Sequence, residues 1–123
     1  MSNPKKAPTA IIVEDDFLIA ASYGLVCEDL GIEVVDTCDT AAQAIEMIME
    51  RRPDFVLLDV RLRGEKDGVY VAEQIRERGL ATKLIFVTGS QEPETLARIR
   101  KLNPDGVLSK PTPPQSLEHA LGD

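Results

Sequence analysis

Long apolar runs are missing from this sequence. No hydrophobic stretch approaches the ~20 residues that a membrane-spanning helix needs, and the polar N-terminus has no apolar segment typical of a secretory signal. Positive charge is scarce too, because 14 Lys and Arg stand against 21 Asp and Glu, which gives a net charge of -7. Phosphate backbones are bound by clustered Lys and Arg, so this balance argues against direct nucleic-acid binding. We expect a cytoplasmic protein, not inserted in a membrane, whose partners are proteins or cations.

Cysteine is equally scarce, since Cys27 and Cys38 are the only two in 123 residues. They lack Cys-x-x-Cys spacing and lie within apolar periodic segments, which favours small core residues over redox groups. Internal repeats and low-complexity tracts are missing as well. A chain of this length forms a single domain around one core. We predict a flexible N-terminal tail over residues 1–8 and one folded domain over residues 9–123.

Five short apolar segments alternate along the chain with five helical patterns. Phe55–Leu58 is apolar at every position, which is typical of a strand buried on both faces of a parallel sheet. Strict alternation predicts an α/β fold with helices on both sides of that sheet. Right-handed connections then favour the flavodoxin-like, doubly wound (βα)5 arrangement with strand order 2-1-3-4-5. The other strands are predicted at 9–13, 33–38, 83–89 and 106–111.

The first helical segment runs from Phe17 to Leu30 and is followed by Gly31, a residue typical of helix C-termini. Within it, apolar residues recur at helical spacing. This spacing predicts a core face made of Leu18, Ala21, Leu25, Val26 and Leu30. The second helix is expected to begin after Thr40, whose hydroxyl can cap the first turn.

Residues able to do chemistry stand at the ends of four of the five predicted strands. In strand order they are Glu14, Asp15 and Asp16 after the first, Asp59 after the third, Thr88 in the fourth and Lys110 in the fifth. The order 2-1-3-4-5 makes these four strands neighbours, and open α/β sheets bind ligands at the carboxyl ends of their strands. We therefore expect these side chains to converge in one cleft.

Several carboxylates in one cleft need neutralisation, because two of them ~4 Å apart repel by about 4 kcal/mol at an effective dielectric of about 20. Mg²⁺ suits this role, since it is commonly held by carboxylates together with a phosphate. Asp15 and Asp59 are the expected direct ligands, with Glu14 acting through water. Once its charge is screened, the Asp59 carboxylate can attack phosphorus and form an acyl phosphate. Lys110 and Thr88 can donate hydrogen bonds to the phosphoryl oxygens.

These residues resemble the receiver domain of two-component response regulators. Four motifs carry the resemblance in family order and spacing: Glu14-Asp15 after an apolar strand, Asp59 after the strand 55–58, Thr88-Gly89, and Lys110-Pro111. The similarity extends from about Thr9 to the end of the chain. It implies the transfer of a phosphoryl group onto Asp59 from a histidine kinase or a phosphotransfer protein.

The resemblance also implies a ligand set and an output. The implied Mg²⁺ ligands are Asp15, Asp59 and the backbone carbonyl of Arg61, and Glu14 completes the metal site through water. The implied catalytic residues are Asp59, Thr88 and Lys110. They act only in the domain's own phosphorylation and dephosphorylation, so the chain is expected to be a signalling module rather than an enzyme. The Lys110–Pro111 peptide bond is expected to be cis.

Downstream signalling is implied to pass to a protein that binds the face of the fourth helix, fifth strand and fifth helix. Most receivers carry an aromatic residue on this strand, three positions before the lysine, whereas this chain has Val107. The usual threonine-to-aromatic switch is therefore not implied for this chain. The run Phe86-Val87-Thr88-Gly89 resembles a variant subset of receivers without that aromatic residue. Homodimerisation stays open, as does whether the chain is a stand-alone receiver or part of a longer protein.

Three other functions stay open on the residues alone. One is a receiver fold that binds partners independently of phosphorylation, as the missing aromatic residue allows. Another is a Mg²⁺-dependent phosphohydrolase with Asp59 as nucleophile, although Arg61 stands where haloacid dehalogenase enzymes place a second acid. The third is a flavodoxin-like cofactor carrier, but an acidic cluster after the first strand repels phosphate. We rank the phosphoacceptor receiver above all three.

Overall fold

A five-stranded parallel sheet flanked by five helices forms the fold, seen in a computed structural model that describes residues 7–122. The strands are β1 (Thr9–Val13), β2 (Glu33–Cys38), β3 (Phe55–Leu58), β4 (Lys83–Thr88) and β5 (Gly106–Ser109). The helices are α1 (Phe17–Asp29), α2 (Ala41–Arg51), α3 (Gly68–Glu77), α4 (Pro93–Arg100) and α5 (Pro114–Gly122). The strand order is β2-β1-β3-β4-β5, which confirms the predicted fold class and order. Residues 1–6 of the predicted tail, and Asp123, lie outside the described residues.

Two apolar layers hold the sheet between its helices. Successive residues of a strand point to opposite faces, so the central strands contribute to both layers. One layer lies under α2, α3 and α4 and includes Val56 and Phe86. The other lies under α1 and α5 and includes Leu57 and Ile85. β2 forms a partly exposed edge, as its more polar composition predicts.

Local signals in the sequence determine several element boundaries. Thr40 accepts a hydrogen bond at 3.2 Å from the backbone N–H of Gln43 and caps α2, as predicted. Gly31 follows α1 at φ 75°, a left-handed conformation that glycine adopts without strain. The strand β5 is shorter than predicted and ends at Ser109, so Lys110 is the first residue after it. Asp59 is likewise the first residue after β3.

The predicted core face of α1 is wrong, except that Val26 packs against the core. The other four predicted core residues are exposed: Leu18, Ala21, Leu25 and Leu30. The side chains that are buried against the sheet are those of Ala20, Tyr23 and Cys27. Because α1 is apolar around most of its circumference, its apolar spacing fits more than one face. Close packing onto the sheet selects the side that carries the small residues Ala20 and Cys27.

Both cysteines are free thiols in the core, as predicted. Burial raises the pKa of Cys27 to about 11 and that of Cys38 to about 12, which keeps both thiols protonated at neutral pH. Within residues 7–122, no helix combines the length and the apolar character needed to cross a membrane.

The exposure of Leu25 can be tested against a leucine that the fold buries. We predict that Leu25→Ala changes the free energy of unfolding by less than about 0.5 kcal/mol, because the side chain already contacts water. Leu117→Ala, at a position 1% exposed, should cost about 2–5 kcal/mol because it leaves a cavity. Chemical denaturation of the two variants measures both values. Equal losses would mean that Leu25 packs in the core after all.

Candidate functional site

A cleft of about 490 Å³ lies where the carboxyl ends of β1, β3, β4 and β5 meet. Parallel strands bring these ends to one edge of the sheet, together with the side chains that follow them. The lining includes Asp15, Asp59, Arg61, Thr88, Gly89 and Lys110. Glu14 joins this group through its contact with Lys110. The side chains expected to converge therefore do lie together.

Lys110 connects two buried carboxylates. Its Nζ lies 2.8 Å from Oε1 of Glu14 and donates a hydrogen bond at 2.9 Å to Oδ2 of Asp59. The side chains of Glu14 and Asp59 are 1% and 6% exposed, whereas that of Lys110 is 21% exposed. A single ammonium group thus lies between two acids that the fold has removed from water.

Burial is the largest single influence on the pKa values of Glu14 and Lys110. It raises the pKa of Glu14 to about 7, although Lys110 and the backbone N–H of Asp16 act in the opposite direction. Burial also disfavours the charged form of Lys110, but its two carboxylate neighbours outweigh this and hold its pKa above the ordinary value. Lys110 is therefore charged at neutral pH, while burial favours the protonated form of Glu14 more than water does.

Three carboxylates offer ligands for a cation here. One oxygen from each of Glu14, Asp15 and Asp59 lies within 4.8 Å of the other two. Oε1 of Glu14 is buried and accepts no well-directed hydrogen bond from any described residue, although Lys110 Nζ is close to it. Hard oxygen donors with excess negative charge suit Mg²⁺. The residues present therefore fit the predicted metal, whereas the role of the Arg61 carbonyl stays a prediction.

Thr88 is buried at the end of β4 and lines the cleft. Its Oγ1 accepts a hydrogen bond at 3.0 Å from the backbone N–H of Ser90, so its own hydroxyl proton is available for donation. The backbone N–H of Lys110 donates to the carbonyl of Thr88 at 3.0 Å, which joins the ends of β4 and β5. The peptide bond between Lys110 and Pro111 is cis, as predicted.

Gly68, the first residue of α3, is part of this site and was not among the predicted residues. Its N–H donates to the carbonyl of Val60 at 2.8 Å, and a Cβ placed on it would overlap the backbone carbonyl of Asp59. Glycine is needed because the start of α3 packs directly on the backbone of the cleft. The preceding Asp67 caps α3 by accepting from the N–H of Tyr70 at 2.9 Å. An Asp-Gly pair just before a helical pattern is the sequence signal for this arrangement.

A parallel sheet in this order, with acids and a lysine gathered at the carboxyl ends of its strands, defines a signal-receiver type of α/β domain. The chain belongs to the response regulator receiver domain family, whose family model matches residues 10–122. The family resemblance inferred from the four motifs is thereby confirmed, and it places the chain among the signalling domains of two-component systems.

Curated relatives and solved structures agree with this family. The nitrate/nitrite response regulator NarL of Escherichia coli K12 is 28% identical over 121 residues, which cover 98% of this chain and 56% of NarL. The transcriptional regulatory protein DesR of Bacillus subtilis 168 is 30% identical over 112 residues, which cover 89% of this chain and 54% of DesR. The chain therefore spans about half the length of the curated relatives it matches.

Among solved structures, the receiver domain of a modulated diguanylate cyclase from Desulfovibrio desulfuricans G20 is 35% identical, with a TM-score of 0.86. That match covers 94% of this chain and 91% of the other. A CheY-like receiver domain protein from Methanospirillum hungatei JF-1 is 25% identical over the same shares of both chains, with a TM-score of 0.87. Both similarities extend over nearly the whole chain.

The raised pKa of Glu14 predicts a pH dependence of stability. A carboxyl group with a pKa of 4.5 when unfolded and about 7 when folded binds more protons in the folded state between these values. The free energy of unfolding therefore falls as the pH rises through that window. We predict that the free energy of unfolding of the wild type falls by an amount on the order of 1–3 kcal/mol across this window, and that this fall is missing in Glu14→Gln. Chemical denaturation across this pH range, with a chelator present, measures the difference, and a difference that does not vary with pH would contradict the raised pKa.

Proposed function

We propose that this receiver accepts a phosphoryl group on Asp59 from a histidine kinase or a phosphotransfer protein in the cytoplasm. The observation that carries the proposal is the buried contact between Asp59 and Lys110, beside two further carboxylates at the carboxyl edge of the sheet. A carboxylate held in this way is a nucleophile whose charge the cleft can balance. Membership of the receiver family supports the signalling role.

In the proposed step, a carboxylate oxygen of Asp59 attacks phosphorus while the bond from phosphorus to the donor's histidine nitrogen breaks. The electron pair of that bond stays with the histidine ring, and Asp59 becomes an acyl phosphate. Lys110, now 2.9 Å from Asp59, can transfer its contact to a phosphoryl oxygen. The Thr88 hydroxyl, which already accepts a hydrogen bond from the N–H of Ser90, donates a hydrogen bond to another phosphoryl oxygen. Attack by water later releases phosphate and restores the carboxylate.

Glu14, Asp15 and Asp59 would hold Mg²⁺ in this mechanism, together with the backbone carbonyl of Arg61. When bound, Mg²⁺ neutralises negative charge on the carboxylates and on the phosphoryl oxygens. Without that neutralisation, the negative charge of an incoming phosphoryl group adds to that of three acids, two of which already share Lys110. Phosphorylation is therefore expected to depend on a divalent cation.

A donor protein needs a surface beside the cleft, and α1 offers one. Ile19 lines the cleft together with Asp59, and it also lines a second groove with Pro111. On the same helix, Leu18 and Leu25 expose 81% and 64% of their surface. Apolar side chains exposed in this way on a helix beside a cleft indicate contact with another protein. We place the histidine-bearing segment of the donor against the exposed surface of α1, with Leu18 in the first turn, next to Asp15 and Asp16 of the cleft lining.

Output is proposed to pass to a downstream protein through the face formed by α4, β5 and α5. On β5, Val107 is 46% exposed, which leaves apolar surface for such a contact. Arg100 lies exposed at the end of α4, and Lys101 follows it. A partner with an acidic rim around an apolar centre matches this combination.

Incubation with acetyl phosphate tests the acceptor chemistry. In the presence of Mg²⁺ we expect the intact mass to increase by one phosphoryl group, in a linkage that alkali hydrolyses, because acyl phosphates are labile. Asp59→Asn should show no gain, and a chelator should suppress the gain in the wild type. Asp29→Asn, which changes an exposed acid at the end of α1, is the matched control and should behave like the wild type.

Two results would redirect this proposal. An undiminished mass gain in Asp59→Asn would place the acceptor elsewhere. No gain in the wild type, from acetyl phosphate or from a panel of purified histidine kinases, would favour a receiver fold that binds partners without phosphorylation.

The docking role of α1 predicts a difference between protein and small-molecule donors. Leu18→Ser should slow transfer from a histidine phosphotransfer domain about tenfold, because an exposed apolar contact is lost. Its rate with acetyl phosphate should not change, since Leu18 lies outside the cleft lining. Leu30→Ser, at the residue that follows α1 and far from the cleft end of the helix, is the control. Equal slowing with both donors would assign Leu18 to the chemistry of the cleft rather than to docking.

A further inference from the structure

The helix α4 is anchored at its C-terminal end and held loosely at the other. Ile99 is its one fully buried residue, and Glu92, which precedes the helix and lines the cleft, provides no side-chain cap. Just beyond the helix, Arg76 of α3 donates hydrogen bonds to the carbonyls of Leu102 and Asn103 at 3.1 and 3.2 Å. The end near the cleft therefore has more freedom to move than the end near Arg76.

An ion pair connects α4 to the loop between β3 and α3. Nη1 of Arg98 donates a hydrogen bond to Oδ2 of Asp67 at 2.9 Å, and Nη2 donates to Oδ1 at 3.4 Å. A contact through two atoms on each side restricts orientation as well as distance. Burial opposes the charge of Asp67, but Arg98 and the N–H of Tyr70 outweigh it and hold the pKa of Asp67 below its ordinary value. Both partners are therefore charged at neutral pH.

Asp67 is also next to the backbone of the proposed acceptor. Its neighbour Gly68 packs so closely on the carbonyl of Asp59 that no side chain fits between them. The N–H of Gly68 also donates a hydrogen bond at 2.8 Å to the carbonyl of Val60, the residue after Asp59. A backbone shift at Asp59 must therefore displace residues 67 and 68 as well.

We propose that the Asp67–Arg98 ion pair couples the backbone around Asp59 to α4, so that a change at one of them is transmitted to the other. The ion pair lies beside the buried Ile99, so the coupling acts on the C-terminal half of α4. The use of this coupling in signalling rests on the proposed phosphorylation of Asp59, whereas the coupling itself is a property of the unmodified fold. This route reaches α4 without involving the side chain at Val107.

Hydrogen–deuterium exchange of the full chain tests the coupling without any phosphodonor. Asp67→Asn keeps an acceptor for the Tyr70 N–H but removes the charge, and Arg98→Gln removes the charge of the other partner. Loss of a partly exposed ion pair should raise the amide exchange rate about two- to fivefold in the element that carries the unsubstituted partner. We thus expect faster exchange in α4 for Asp67→Asn and in residues 68–71 for Arg98→Gln. Arg100→Gln, an exposed arginine of the same helix, is the matched control and should leave residues 68–71 unchanged.

Two results would overturn the coupling. One is faster exchange confined to the element that carries the substitution. The other is an additive effect in the double variant Asp67→Asn/Arg98→Gln, because residues that act through one contact make the double variant no worse than the single ones.

A second arm with acetyl phosphate and Mg²⁺ separates the coupling from the proposed function. Phosphorylation of the wild type should alter exchange in α4, and this change should shrink in Arg98→Gln while the mass gain persists. An undiminished change in that variant would remove the ion pair from the signalling route. If the wild type gains no phosphoryl group, the proposed function fails, and the first arm still decides whether the ion pair couples the two elements.

Discussion

The contact of Lys110 with Glu14 and Asp59 is the interaction on which the rest of the site depends. Two almost fully buried carboxylates would be costly without a counter-charge, and one ammonium group reaches both of them, at 2.8 and 2.9 Å. The three residues follow β1, β3 and β5, so the contact exists only while these strands keep their order and register. The apolar layers on both faces of the sheet therefore hold charged groups together at its edge.

The charge balance of the cleft connects this contact to function. Three acids lie close together, two of them share Lys110, and burial raises the pKa of Glu14 to about 7, so the metal-free cleft is electrostatically unfavourable. A divalent cation and a phosphoryl group, as proposed, complete that balance and give Lys110 a new partner. Because Gly68 packs on the backbone of Asp59, a rearrangement there reaches Asp67 and, through its ion pair, α4.

Much of the fold and of the candidate site could be predicted because the signals are local. The apolar strand 55–58, the cap at Thr40 and the glycine at position 31 each depend on neighbouring residues alone, and all three match the structure. The site residues could be grouped because parallel topology brings strand ends together. The inward side of α1 could not be predicted, since a helix that is apolar on most sides offers more than one face to the sheet.

The sequence by itself determined the number and order of the elements, the parallel sheet and the residues at the strand ends, because periodicity and turn residues act over short distances. Only the tertiary structure decided that Asp67 meets Arg98, 31 positions along the chain, and that the start of α3 packs on the backbone of Asp59. Both contacts depend on how α3 and α4 lie against the sheet. Shape complementarity between packed elements determines this placement. The Asp67-Gly68 pair signals a close approach at the start of α3 but not which backbone it approaches, and no local pattern indicates that Arg98 is the partner of Asp67.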